Sequence, residues 1–244
     1  MVIVINALDE CEQEDNVRVI LQLLPKLQES KSICLRIFLS SRPEESVRAG
    51  LNQFQDYQVQ ALEEAPMTEH DIQLFLKDQL SEIRKDKSLA REWPGDDAFH
   101  NLVAMSVPLS IFAATVCRFI KDRPGKRLAA VLESREATPV TQMKKMYQQV
   151  LEQVLDPDNE SESEDNVKKF KDIVGIICFL ATPLSMHILG QFLGIPMEDI
   201  SYLLNKLHSV LSIPEEINAP VCILHLSFRE FLIDTKSEFH VNET

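Results

Sequence analysis

The feature that most constrains the fold is the run Val2-Ile3-Val4-Ile5, followed at once by Asn6-Ala7-Leu8-Asp9-Glu10-Cys11. A continuous β-branched run ending in carboxylates predicts a central parallel strand, with the acids at its C-terminal end where such sheets present a ligand crevice. Val17, Ile20, Leu21, Leu24 and Leu27 then recur at offsets of three and four, which predicts an amphipathic helix over Val17 to Gln28 with a break or kink at Pro25. Ile33 to Leu39 is a second buried-strand candidate and closes with Ser40-Ser41-Arg42-Pro43-Glu44. Strand, helix, strand implies a right-handed parallel crossover. Arg42 therefore falls on the same sheet edge as Asp9 and Glu10, where its fork could take up a terminal phosphate. Its plainer reading is a surface arginine beside Glu44 and Glu45.

A third short strand is expected at Tyr57 to Leu62. Beyond it the pattern turns helical. Thr68 and Asp71 fit a helix start, and Ile72, Phe75, Leu76, Leu80 and Ile83 follow at helical spacing. Trp93 to Arg135 reads as helix with Pro108 in the first turn of a helix running to Ile120, a position where its missing N–H costs nothing. Asp156 to Asp165 (DPDNESESED) holds no apolar residue and predicts a solvated linker. After it come helical patterns at Phe170 to Ala181, Ser185 to Leu193 and Met197 to Leu211, then short extended segments at Val210 to Ile213 and Val221 to Leu224, then a last helix opened by His225-Leu226-Ser227-Phe228-Arg229-Glu230-Phe231-Leu232. Three helices and a hairpin describe a winged-helix arrangement.

The expected class is mainly α with a small parallel α/β portion. With only 6 glycines in 244 residues, an all-β fold lacks its turns. A net charge of −13 argues against nucleic acid as partner, winged-helix DNA binding included, and against anionic membranes. The five cysteines are scattered without a Cys-x-x-Cys pair, as expected of free thiols in a reducing cytoplasm. No apolar run is long enough to cross a bilayer, so a cytoplasmic protein is expected.

The opening segment resembles the Walker B stretch of NACHT and nephrocystin-type signalling ATPases, in which hydrophobic residues precede Asp-Ala-Leu-Asp-Glu-Cys. Ser40-Ser41-Arg42-Pro43-Glu44 is similar to their sensor segment, Ile111 to Ile120 (IFAATVCRFI) to a helix of the fungal members, and His225 to Leu232 to their winged-helix histidine pattern. The resemblance runs along nearly the whole chain and implies a partial nucleotide domain at residues 1–66, ending a P-loop fold, a helical domain at 67–155, the acidic linker at 156–166 and a winged helix at 167–244. It implies catalytic roles for Asp9 and Glu10, with Asp9 on a metal. It also implies that Arg42 reads a phosphate, that Pro108 packs on adenine and that His225 touches the β-phosphate of ADP. Asn6 stands where the family has its first Asp, and Ser106 where it has the glycine before the proline.

Phosphoryl transfer further needs a phosphate loop with its lysine. No Gly-x-x-x-x-Gly-Lys-Ser/Thr occurs, and Gly125-Lys126 lacks both the earlier glycine and the following hydroxyl. The resemblance therefore implies an upstream P-loop half and a downstream repeat array outside these residues, with Glu238 to Thr244 leading into the repeats. Members use ATP or ADP with Mg in nucleotide-dependent switches of innate immunity and of self and non-self recognition. The expectation here is a truncated switch module that neither hydrolyses ATP nor holds nucleotide tightly, and whose partners are proteins, either full-length relatives or its own further domains. The alternatives are a non-catalytic helical interaction module and a decayed gene fragment.

Overall fold

The computed structural model describes residues 1–11, 14–28, 35–42, 44–52, 58, 67–152, 160–180, 182–234 and 239–241, with backbone only at 10, 14, 15, 28, 46, 67, 68 and 160–166. It is mainly helical, with one small parallel pair of strands, and it divides into two compact units at residues 1–61 and 62–244.

In the first unit, strand β1 (Val2–Ile5) and strand β2 (Arg36–Leu39) are parallel, with Val2 opposite Arg36 and Ile5 opposite Leu39. Helix α1 (Glu14–Gln28) makes the crossover, and helix α2 (Glu45–Leu51), not foreseen from sequence, packs on it. Leu8, Val17, Leu21, Leu24 and Val47 are buried together, with Ile5, Ile37 and Leu39 against them. Each fully buried aliphatic side chain contributes ~1.5–3 kcal/mol. Gly50 lets α2 approach α1 closely, since a Cβ there would displace the tip of the Leu21 side chain.

Among the described residues the sheet is covered on one face. Val2, Val4 and Phe38 are 66%, 65% and 63% exposed, and among the described residues both helices lie on the opposite side. Helix α1 runs on through Pro25, because the proline falls in its last turn and removes only the bond to the Leu21 carbonyl. Leu27 lies on the exposed side of that helix. The expected third strand, like Ile33 and Cys34 of the second, lies outside the described residues, Gln58 apart.

The second unit begins with helix α3 (Met67–Asp86), which buries Ile72, Leu76, Leu80 and Ile83 and leaves Phe75 exposed. Because α3 starts at Met67, Thr68 sits inside its first turn and is not its N-cap. The long helical pattern that follows is divided into α4 (Asp96–Ser106), α5 (Ser110–Ile120) and α6 (Pro124–Glu133), with α7 (Pro139–Glu152) beyond. Helix α8 (Glu160–Phe179) takes up the second part of the expected linker. Asp156 to Asn159 lie outside the described residues.

Helices α9 (Met186–Leu193) and α10 (Met197–Asn205) follow. Ser185 caps α9 through its side chain, and Gly194 ends it at a φ of 66°. The chain turns through Lys206 to Val210 into strand β3 (Leu211–Ser212), antiparallel to β4 (Cys222–Ile223), and closes with α11 (Leu226–Ile233). Both strands fall within the expected extended segments. One hydrophobic core joins residues of α3 to α7 with those of α8 to α11, so the segments expected as two domains share an interior. Phe239 and Val241 belong to that core, Phe239 edge-on to Phe170 with centroids 6.4 Å apart, so this part of the tail packs against the unit and does not run away from it.

Candidate functional site

The parallel pairing carries the ends of β1 and β2 to one edge, where Ser40 organises the loop. Its N–H donates to the Ile5 carbonyl at 2.9 Å and its carbonyl accepts from Leu8 N–H at 2.9 Å. Its hydroxyl accepts from Ala7 N–H at 3.0 Å and donates to the Asn6 side-chain carbonyl. Asn6 is thereby tied to the neighbouring strand end. Ala7 adopts the left-handed conformation, φ 52° and ψ 54°, which costs a non-glycine residue ~1–2 kcal/mol and turns the chain into the 3-10 turn Leu8–Glu10. Leu8 enters the core on one side of that turn.

Asp9 leaves on the other side and meets Arg42. One carboxylate oxygen accepts the Arg42 backbone N–H at 3.0 Å, and the other lies 3.5 Å from Arg42 Nε. The Asp9 side chain is 5% exposed and that of Arg42 36%. The structure thus brings together two of the residues singled out from sequence. The pair is a charge-assisted clasp between the strand ends, with the guanidinium at the solvent boundary. Glu10 lies in the same turn by its backbone.

A magnesium ion takes about six oxygens, several of them water, and needs carboxylates turned toward it. Both Asp9 oxygens face Arg42, and the Asn6 oxygen takes the Ser40 hydroxyl. Among the described residues no group of three His, Cys, Asp or Glu side chains is placed to hold a metal. The side chains as arranged do not fit a Mg site.

Pro108 and His225 belong to the second unit. Pro108 follows a cis peptide from Val107 in the turn between α4 and α5, ahead of the helix start at Ser110 and not within its first turn. Ser106, buried, donates its hydroxyl to the Leu102 carbonyl at 2.6 Å, so it closes α4 by a bond back along the helix. His225 is half-buried and caps α11. Its Nδ1 accepts the Ser227 N–H at 3.2 Å and lies 2.6 Å from the Ser227 hydroxyl, which lies 2.7 Å from the Tyr147 hydroxyl on α7. Ser227 is part of the motif read from the sequence. Tyr147 was not foreseen, because one aromatic on an amphipathic helix carries no signal beyond core packing. Ser40 lies in the sensor-like motif, and its role as hub of the loop rests on bonds to Ile5, Asn6, Ala7 and Leu8 that the sequence does not display.

Burial pushes the Cys117 and Cys178 thiols up to about 12 from an ordinary 9.0, only partly opposed by Arg118 and Arg229. Neither thiol is a nucleophile at neutral pH. Among the described residues no helix is long and apolar enough to cross a membrane.

The family model described as Nephrocystin 3, N-terminal, matches residues 1–42, a stretch that runs from β1 to the arginine of the clasp. No curated protein and no solved structure matches the chain. The first 42 residues are thus similar to the nephrocystin 3 N-terminal family.

Proposed function

We propose that these residues carry the later part of a nucleotide-reading unit of the nephrocystin and NACHT type, followed by helical and winged-helix modules, and that they work as a non-hydrolysing portion of a nucleotide-dependent signalling switch. The observation that supports this best is the Asp9–Arg42 clasp at the C-terminal edge of the parallel pair, inside the stretch similar to the nephrocystin family. A carboxylate and a phosphate offer the same planar pair of anionic oxygens to a guanidinium. Arg42 holds Asp9 in the unliganded chain and exchanges it for a phosphate oxygen when nucleotide arrives. In the second unit Pro108 supplies an apolar surface for a base and His225 a ring N–H for an anion. The succession of α8, α9 and α10, the antiparallel β3–β4 pair and α11 supports the winged-helix part of this reading.

Hydrolysis is not assigned to the chain by itself. It would need backbone amides and a lysine around the phosphates, a metal ligand and an oriented water. The sequence contains no phosphate loop, Asn6 replaces an acid, and Asp9 is held by Arg42. Calorimetry with Mg·ATP, together with phosphate release, tests this. We expect a dissociation constant above about 1 μM and no turnover. Submicromolar binding accompanied by phosphate release would overturn the reading.

The apolar sheet face of Val2, Val4 and Phe38, exposed among the described residues, favours a second reading, a non-catalytic module that pairs with an intact relative. Co-purification with such a relative, lost on Phe38→Lys, would decide for it. No association would decide against it.

A further inference from the structure

Five of the chain's 25 lysines and arginines, but one of its 38 acids, fall within residues 118–127, in a chain whose net charge is −13. These residues form the corner between α5 and α6. Arg118 stands in the last turn of α5, Lys121 and Arg123 in the turn between the helices, and Lys126 and Arg127 at the start of α6.

The corner is held in shape by side chains. Arg127 is half-buried, and its Nη1 donates to the Phe119 carbonyl at 2.6 Å and to the Asp122 carboxylate at 3.0 Å. Its guanidinium lies over the Phe119 ring, 4.9 Å from the centroid. His208, from the turn after α10, brings Nε2 to 3.1 Å from the Arg118 carbonyl. The end of α5 is thus closed, and the one acid of the corner is engaged by Arg127. Lys121 meets Asp86 at 3.3 Å, but both side chains are more than half exposed, so the pair is of little net worth and open to exchange. Arg118, Arg123 and Lys126 are exposed and form no ion pair among the described residues.

We propose that the α5–α6 corner is a docking surface for a short acidic peptide segment of a partner protein, held by Arg118, Lys121, Arg123 and Lys126. Cations crowded on one corner raise the local potential and favour an anion there. The extent of the patch decides which anion. The rest of the chain carries the whole negative excess, so a duplex or an anionic membrane meets repulsion on either side of the corner. A short acidic segment reaches the four cations alone. Because the turn is fixed by Arg127 and His208, less freedom is lost when the segment binds. The inference is independent of the nucleotide reading of Arg42 and His225.

The test is fluorescence anisotropy with a labelled octapeptide of alternating Glu and Asp, titrated with the whole chain at about 50 mM salt. We expect a dissociation constant on the order of 100 μM that weakens severalfold at about 200 mM salt, and no binding of an octapeptide of Gln and Asn. Arg118→Glu with Arg123→Glu should weaken binding at least about tenfold, and Lys126→Glu alone about threefold to fivefold. Lys168→Glu, which reverses an exposed cation on α8, should change it by less than about twofold. In the wild-type chain the peptide should also shift the Nε–H resonances of Arg118 and Arg123, which keeps the test decisive if a variant loses its fold. The proposal is overturned by no binding at low salt, by arginine resonances that stay in place, or by an equal loss in Lys168→Glu. Tighter binding of an oligothymidylate of equal length, or of phosphatidylserine vesicles, would overturn it in favour of those partners.

Discussion

Among the described residues the first unit covers one face of a two-stranded sheet with two helices and leaves Val2, Val4 and Phe38 exposed on the other, whereas the second wraps α3 to α11 around one continuous interior. Their polar groups differ in the same sense. Asp9 and Arg42 form a clasp at the solvent boundary, while Tyr147, Ser227 and His225 form a chain anchored in the core. A small core that positions a charged pair at its rim suits exchange of that pair with an incoming anion. A large core holds its polar groups in place. The contrast follows from burial, since a side chain is held only as firmly as the groups packed around it.

Cavities cut into the two cores should affect the two units separately. Leu76→Ala in α3 should cost about 2–5 kcal/mol and lower the melting of the second unit, read by chemical denaturation. Leu21→Ala should cost at the lower end of the same range, about 2 kcal/mol, because part of the cavity can relax toward the rim of a small core. Hydrogen exchange should then show lost protection in β1, α1 and α2 and unchanged protection in α5 and α7. Equal loss in both units would show that they unfold together and would remove the contrast.

A smaller effect sharpens it. In the folded chain burial keeps the Cys117 and Cys178 thiols neutral up to about 12, while in the unfolded chain they ionise above 9.0. Between those values the unfolded state holds fewer protons, so stability falls as pH rises, by about 1.4 kcal/mol per unit for each thiol. The loss should be confined to the second unit. Cys117→Ala should flatten the slope between pH 9 and 12, measured from denaturation midpoints, by roughly one thiol's share. A variant with the wild-type slope would show that Cys117 is not shielded.

Much of this architecture is legible in the residues. The alternation of α1 and α3, the crossover and the short β3–β4 pair follow from apolar periodicity and from the segments that bound it. Arg42 falls beside Asp9 because parallel strands put their C-terminal ends on one edge, a consequence of connectivity alone. What could not be read depends on neighbours. Val2 and Val4 have the composition of a doubly buried strand, and only the absence of a covering element among the described residues exposes them. Glu160 to Asn166 lack the apolar residues of a helix and are helical because α8 extends N-terminally from its buried part. The bond from Tyr147 to Ser227 joins residues 80 apart and has no local trace.

Arg42 is proposed to exchange the Asp9 carboxylate for a phosphate oxygen. The most direct measurement follows the Arg42 Nε–H resonance by NMR while ADP, and separately adenosine, is added to the whole chain at about millimolar concentration. ADP should shift this resonance and adenosine should not, and Asp9→Asn, which removes the competing charge, should strengthen the ADP response several-fold. An Arg42 resonance unmoved by ADP, or moved equally by adenosine, would contradict it.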